Sequence, residues 1–346
     1  MNRLLRDSSV QFYLERLSDV LADPEITEIA INGVDQVFVE RQSRWEALDR
    51  AFSERQMLDL GTAVARLSDQ EWNGRYPLLS ASVPLHSSPS DVQVDRALRF
   101  QLAAPPAVPA GTCSMTIRKP SLVDHTLEHL ARKGLFDRIK PLSSTPTDEE
   151  IALVQRLNEK DYQAFFTLAV RARKNIVVAG ATGSGKTTFM KSLVREIPLG
   201  ERLITIEDVR ELTLPHGNCV HLLYSKGTQS SNAVTPRDLL EASLRMKPDR
   251  ILLAEVRGEE CFYYVRNAAS GHPGSITSVH AGSPALALEQ MAIMIKDSRG
   301  GAFLDFDVIK RLLLLTIDII VQFHNQGGKR FISEIHFDPE RQRAAT

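Results

Sequence analysis

The chain has 346 residues, 43% hydrophobic and 25% charged, and its 42 Lys and Arg against 43 Asp and Glu leave a formal net charge of −1. That composition excludes a disordered chain, which lacks the apolar surface to offset the entropy of ordering, and a strongly basic nucleic-acid protein. Cys113, Cys219 and Cys261 are three, odd in number and far apart, which excludes a disulfide scaffold, and the length predicts about two domains at roughly 150 residues each.

The N-terminal MNRLLRDSSVQFYLERL is broken by charges before a secretory signal develops. Apolar residues at helical spacing over 9–22 (Val10, Tyr13, Leu14, Leu17, Val20, Leu21) predict a helix that Asp23-Pro24 ends. From Ile26 to Val39 the pattern alternates around Asn32-Gly33, a hairpin signal. A helix over 53–67 follows, then strands near Leu78–Val83, Leu98–Leu102 and Cys113–Arg118, with 103–111 as a loop. The first 120 residues thus read as a small α+β domain. Residues 120–147 have linker composition, from Lys119-Pro120 to Pro141-Leu142-Ser143-Ser144-Thr145-Pro146, around a short helix at Leu127–Lys133. Thr147 and Glu150 have capping-box spacing and start a new helix. From there to about 336 strands and helices alternate, which predicts a parallel or mixed sheet covered by helices. The most hydrophobic run, Ile309 to Val321, holds Lys310, Arg311 and Asp318 and is too short to span a bilayer; it reads as a helix end followed by a strand. A cytoplasmic protein with reduced cysteines is expected.

Residues 175–188, Asn-Ile-Val-Val-Ala-Gly-Ala-Thr-Gly-Ser-Gly-Lys-Thr-Thr, carry Gly180, Gly185, Lys186 and Thr187 in the P-loop pattern G-x-x-x-x-G-K-[ST]. An apolar strand run, Ile176 to Ala179, precedes it, and Phe189, Met190, Leu193, Val194 and Ile197 follow at helical spacing up to Pro198. Glycines let successive amides turn inward onto phosphate oxygens, and the helix N-terminus adds its positive dipole end. Lys186 places a point charge on the β and γ phosphates of ATP, and the Thr187 hydroxyl coordinates Mg²⁺. Gly180, Thr182, Gly183, Ser184, Gly185, Lys186, Thr187 and Thr188 are therefore the expected nucleotide-binding loop.

A P-loop holds a nucleotide without activating water, so a carboxylate at a neighbouring strand end is required. Leu203 to Asp208 ends in Glu207-Asp208, and Arg250 to Glu255 has Walker B shape ending in Glu255. Either carboxylate can hold Mg²⁺ through water or accept the proton of attacking water. Arg245, Arg257 and Arg118 end or flank elements and can meet phosphate charge, but on spacing alone each is equally a surface salt-bridge partner. His280 ends the short run Ile276–Val279 after a Gly-His-Pro-Gly turn; it can sense a γ-phosphate or simply bond backbone. No His and Cys spacing suggests a protein-bound zinc.

These segments resemble the hexameric traffic ATPases of type IV secretion systems, within the wider type II and type IV secretion ATPase superfamily. The resemblance rests on 169–176 running into the P-loop, 205–212, 237–240, 244–251, 255–260 and 271–281, with weaker matches at 31–33, 79–81 and 116–120. It implies a C-terminal RecA-like P-loop domain over 148–346 with a mixed, mostly parallel sheet, a linker over 121–147 and a smaller N-terminal α+β domain over 1–120. It also implies an Asp box at Glu207-Asp208, a His box from Gly271 to His280, and phosphate contact by Arg245. A ring of six subunits would hold ATP between the two domains, within reach of Arg118. Expected partners are the inner-membrane components of a secretion channel and a coupling ATPase, with peripheral association through them and no stable nucleic-acid binding. The chain departs from the family at Ala254, usually Gly, and at Pro84 to Ser90, which lacks the usual Asp-Gly turn.

Three other functions compete. A type II assembly enzyme usually carries a four-cysteine zinc insert, and this chain has no C-x-x-C; a pilus retraction motor shares the motifs. A nucleotide-dependent DNA-binding protein lacks support from near-neutral charge and 6% aromatics. A catalytically silent ATP-gated scaffold would have no need of two carboxylates.

Overall fold

The protein is described by a computed structural model over residues 9–84, 97–120, 126–139, 145–225 and 234–344. The stretch 85–90 and the linker residues 121–125 and 140–144, on which sequence expectations fell, lie outside the described residues.

The N-terminal helical run divides into α1 (Ser9–Leu14), a 3-10 turn (Glu15–Leu17) and α2 (Ser18–Ala22). The tighter turn puts Leu14 and Leu17, both 0% exposed, on one side. Next come β1 (Ile26–Ile31), β2 (Val37–Arg41), β3 (Arg44–Leu48), α3 (Glu54–Leu67), β4 (Leu78–Pro84), β5 (Ala97–Ala103) and β6 (Ser114–Arg118). They form a six-stranded sheet in the order β3-β2-β1-β6-β5-β4, antiparallel throughout. α3 opens with a Ser53–Gln56 capping box and buries Met57, Leu60 and Val64 against the sheet core. In β1 Ile29, Ala30 and Ile31 are all 0% exposed. The strand is covered on both faces because the helices take one and the C-terminal part of the chain takes the other.

α4 (Leu127–Arg132) precedes α5 (Asp148–Asn158), α6 (Tyr162–Arg171), β7 (Ile176–Gly180), α7 (Lys186–Arg195), β8 (Leu203–Glu207) and β9 (Cys219–Leu223). Then follow α8 (Pro236–Ser243), β10 (Arg250–Val256), α9 (Glu260–Ala269), β11 (Ile276–Val279), α10 (Pro284–Asp297), α11 (Phe306–Thr316), β12 (Ile319–Gln326), β13 (Lys329–Phe337) and α12 (Pro339–Ala344). The Thr147–Glu150 and Thr235–Asp238 capping boxes start α5 and α8. The second sheet has seven strands in the order β13-β12-β7-β11-β10-β8-β9. It is parallel except for β13, which returns antiparallel to β12. This is the mixed, mostly parallel α/β architecture the motifs require. β7 is buried at every residue, as a central parallel strand covered on both faces must be. No helix among the described residues is long and apolar enough to cross a membrane.

Candidate active site

The loop after β7 lies at the C-terminal edge of the parallel sheet, where ligands of such sheets bind. Gly180, Gly183 and Gly185 take φ of +153°, +72° and +105°, the left-handed side that glycine adopts at no steric cost. At Gly180 a Cβ would stand 2.8 Å from the Phe323 carbonyl of β12 and 2.8 Å from Ser184 Oγ. Gly185 is the N-cap of α7, so the first amides of α7 face the loop. Lys186, the first residue of α7, is 8% exposed, and its Nζ donates to the carbonyls of Gly180 at 2.8 Å and Ala181 at 3.0 Å. Burial lowers the Lys186 pKa, opposed by the nearby Glu255 carboxylate and reinforced by Arg257.

A second group of side chains comes from β10 and β11. Between Leu253↔Thr277 and Val256↔Val279, two residues of β10, Ala254 and Glu255, stand opposite one of β11, Ser278. This irregularity falls at Ala254–Glu255, and such bulges re-aim a side chain; Glu255 lies in the cleft wall. The Glu255 carboxylate pairs with Arg257 Nη2. Its Oε1 lies 2.5 Å from His280 Nε2. Arg257 also reaches Asp208 Oδ2 at 3.4 Å, and the Ser278 hydroxyl donates to the Ala254 carbonyl at 2.8 Å. Together with the loop these groups enclose a cleft of about 420 Å³, lined by Thr182 to Thr188, Asp208, Glu211, Glu255, Arg257, Ser278, His280 and Arg330.

Most of the residues expected from sequence meet here. Thr182, Gly183, Ser184, Gly185, Lys186, Thr187, Thr188, Asp208, Glu255, Arg257 and His280 line one cleft, and Gly180 anchors its floor through the Lys186 bond. Three do not. Glu207 is 0% exposed; its Oε1 accepts from the Glu211 and Leu212 amides at 3.0 and 2.9 Å, and its Oε2 from Thr205 Oγ1 at 3.1 Å. Burial pushes its pKa up, but the bonds from His221, Leu212, Glu211 and Thr205 outweigh that and hold it below the usual carboxylate range. Glu207 is thus an anionic strut under the loop that carries Asp208 and Glu211, not a side chain of the cleft. Arg245 is exposed in the turn after α8, at the edge where β10 enters the sheet, opposite Glu255. Arg118 belongs to the N-terminal sheet and pairs with Glu28 Oε1 at 3.3 Å.

Sequence reasoning missed Ser278 and Arg330. The signal for Arg330 was the Gly327-Gly328 pair, which turns β12 into β13 and brings it beside the loop.

The donor set fits a hydrated magnesium ion. The Thr187 hydroxyl and the Glu255 carboxylate line the same cleft, and Ser184 Oγ and Glu255 Oε1 are buried without hydrogen-bond partners. No three His, Cys, Asp or Glu side chains gather as a metal cluster among the described residues. Mg²⁺ between waters and phosphates needs only one or two carboxylates.

A family model described as Type II/IV secretion system protein matches residues 144–322. The chain is 47% identical to the type IV secretion system protein VirB11 of Brucella suis over 98% of its own length and 93% of that protein's. Against VirB11 of Bartonella quintana it is 43% identical, over 95% and 93% of the two. The chain belongs to the VirB11 family of type IV secretion ATPases. The crystal structure of the Brucella suis VirB11 ATPase in complex with sulphate has the same fold, with a TM-score of 0.89 at 46% identity over 97% of this chain and 96% of that one. The VirB11 match takes in both sheets, so the N-terminal part belongs to the family as fully as the P-loop part.

Proposed function

We propose that the chain is a Mg-ATP-hydrolysing motor, assembled as a ring of six, that powers substrate translocation or pilus biogenesis in a bacterial type IV secretion system. It works in the cytoplasm and is held at the inner membrane by channel components and a coupling ATPase. One observation carries this reading: the P-loop and the Glu255–Arg257–His280 group face a single cleft at the C-terminal edge of the sheet.

The chemistry follows from that arrangement. The P-loop amides and Lys186 bind the phosphates and fix the γ-phosphoryl group for in-line attack, so catalysis is mostly positioning and charge stabilisation. Thr187 and, through water, Glu255 would hold Mg²⁺, which would supply positive charge to neutralise the phosphate oxygens. Glu255 accepts the proton of the attacking water at a carboxylate oxygen. For that it exchanges its ion pair with Arg257, whose guanidinium then meets the charge developing on the γ-phosphoryl oxygens together with His280. Residues 1–120 form the N-terminal domain, 121–147 the hinge and 148–346 the motor. Arg118 and Arg245, which lie outside their own cleft, serve a neighbouring subunit's cleft in the ring.

Sedimentation of the purified protein with ATP tests the ring. A particle of six 38.6 kDa chains is expected; a strict monomer at micromolar concentration contradicts the motor reading.

A further inference from the structure

Two arginines line the cleft, and they differ in their neighbours. Arg257 is committed to Glu255 and Asp208. Arg330 makes no ion pair or hydrogen bond among the described residues and is exposed. Its position is set by the backbone. β12 runs beside β7 with Phe323 opposite Gly180. The chain turns at Gly327-Gly328, whose φ values of +59° and +81° suit a two-residue hairpin. β13 then returns with Arg330 opposite Asn325 and Ile332 opposite Phe323. Side chains alternate along a strand, so Arg330 shares the face of Ile332 and Phe323. That face looks onto α7: the Phe323 ring lies 5.2 Å from Phe189. Arg330 Cδ lies 3.4 Å from where a Cβ on Gly185 would stand.

In the strand order, β12 and β13 flank β7 on one side, while β11, β10 and β8 flank it on the other. The Glu255–Arg257–His280 group therefore approaches the P-loop from one side, and Arg330 approaches Gly185 from the opposite side. Resting on the reading of the cleft as a nucleotide site, we propose that Arg330 is a nucleotide-binding residue that donates to the phosphates that are not transferred. It supplies a forked, permanently charged donor on the wall away from the water-activating carboxylate. Its contact is the same with ATP and ADP, so it contributes uniform binding and leaves the chemical step untouched.

The test is ADP and ATP affinity, by titration calorimetry on the full chain, with steady-state hydrolysis and melting temperature beside it. Arg330→Gln weakens ADP and ATP binding by about tenfold, raises KM by a similar factor and leaves kcat within about twofold. Arg330→Lys recovers part of the affinity, because the charge is kept and the fork lost. ADP affinity of Arg330→Gln within twofold of the wild type, with Lys186→Ala weakened, overturns the proposal and leaves the cleft intact. A fall in kcat at unchanged ADP affinity also overturns it, by placing Arg330 at the transferred group. If Lys186→Ala binds ADP and ATP normally as well, the reading of the cleft falls with it.

Discussion

Glu207 and Glu255 end neighbouring strands and carry the same functional group in opposite surroundings. Glu207 is sealed in by two amides and a hydroxyl, while Glu255 stands at the cleft between Arg257 and His280. Glu255→Gln is expected to bind ATP as the wild type does and to hydrolyse it about 10²–10⁴-fold more slowly, the usual worth of a positioned base. Glu207→Gln keeps an oxygen for the two amides and is expected to retain turnover within about tenfold. A dead Glu207→Gln beside an active Glu255→Gln would move the base to the other strand. Because the folded pKa of Glu207 is lowered, its ionised form stabilises the fold above its unfolded value of about 4.3. That contribution is lost as pH falls through the folded value, so Glu207→Gln is expected to have a weaker acid-side fall in melting temperature. At this scale the P-loop, Glu255, Arg257 and His280 were legible, because each sits in or beside a motif with fixed spacing. The strut role of Glu207 was not, since it depends on His221, Glu211 and Leu212 arriving from other places in the chain. Arg330 was not either, since it lies more than a hundred residues beyond the motif it faces.

Between elements, one buried side chain fixes three strand starts. Asn175 Oδ1 accepts from the Gly274 and Ser275 amides at 3.0 Å each, and its Nδ2 donates to the Thr316 carbonyl at 2.8 Å. β7, β11 and β12 are thereby held in register beneath the P-loop. Asn175→Ala leaves these buried groups unpaired and is expected to lower stability by about 2–3 kcal/mol in chemical denaturation; a loss below about 0.5 kcal/mol would contradict that role. α5 was legible through its Thr147 cap, the helix over 53–67 by its bounds alone, with its Ser53 cap unread, and the central strands through their apolar runs. β3 and β9 were missed for different reasons. The turn into β3 uses Gln42 and Ser43 at φ +50° and +62°, so no glycine or asparagine announces it. β9 is an edge strand whose apolar run Cys219–Leu223 is interrupted by His221, so it shows neither an unbroken apolar run nor a clean alternation.

Across the whole molecule, the two sheets meet at the entry edge of the parallel sheet. Arg202, just before β8, is 0% exposed. It donates to the Met246 carbonyl at 2.9 Å, Asn32 Oδ1 at 2.8 Å and Thr116 Oγ1 at 3.1 Å, and also bonds Asn218. Burial pulls its pKa down to about 10, so it is still charged at neutral pH. Lys247 Nζ pairs with Glu40 Oε1 at 2.7 Å beside it. None of this was readable in sequence, where Arg202 and Asn32 stand 170 residues apart. A second contact runs along the edge strand β9, where the Leu223 amide donates to the Ala107 carbonyl at 2.8 Å and Ala103, Ala107 and Val108 join the core of the parallel sheet. The most direct test of the account is ATP turnover by the wild type and Lys186→Ala, measured side by side. Turnover by the wild type, with none detectable in the variant and ATP bound at least tenfold more weakly, is predicted; normal turnover in Lys186→Ala would contradict it.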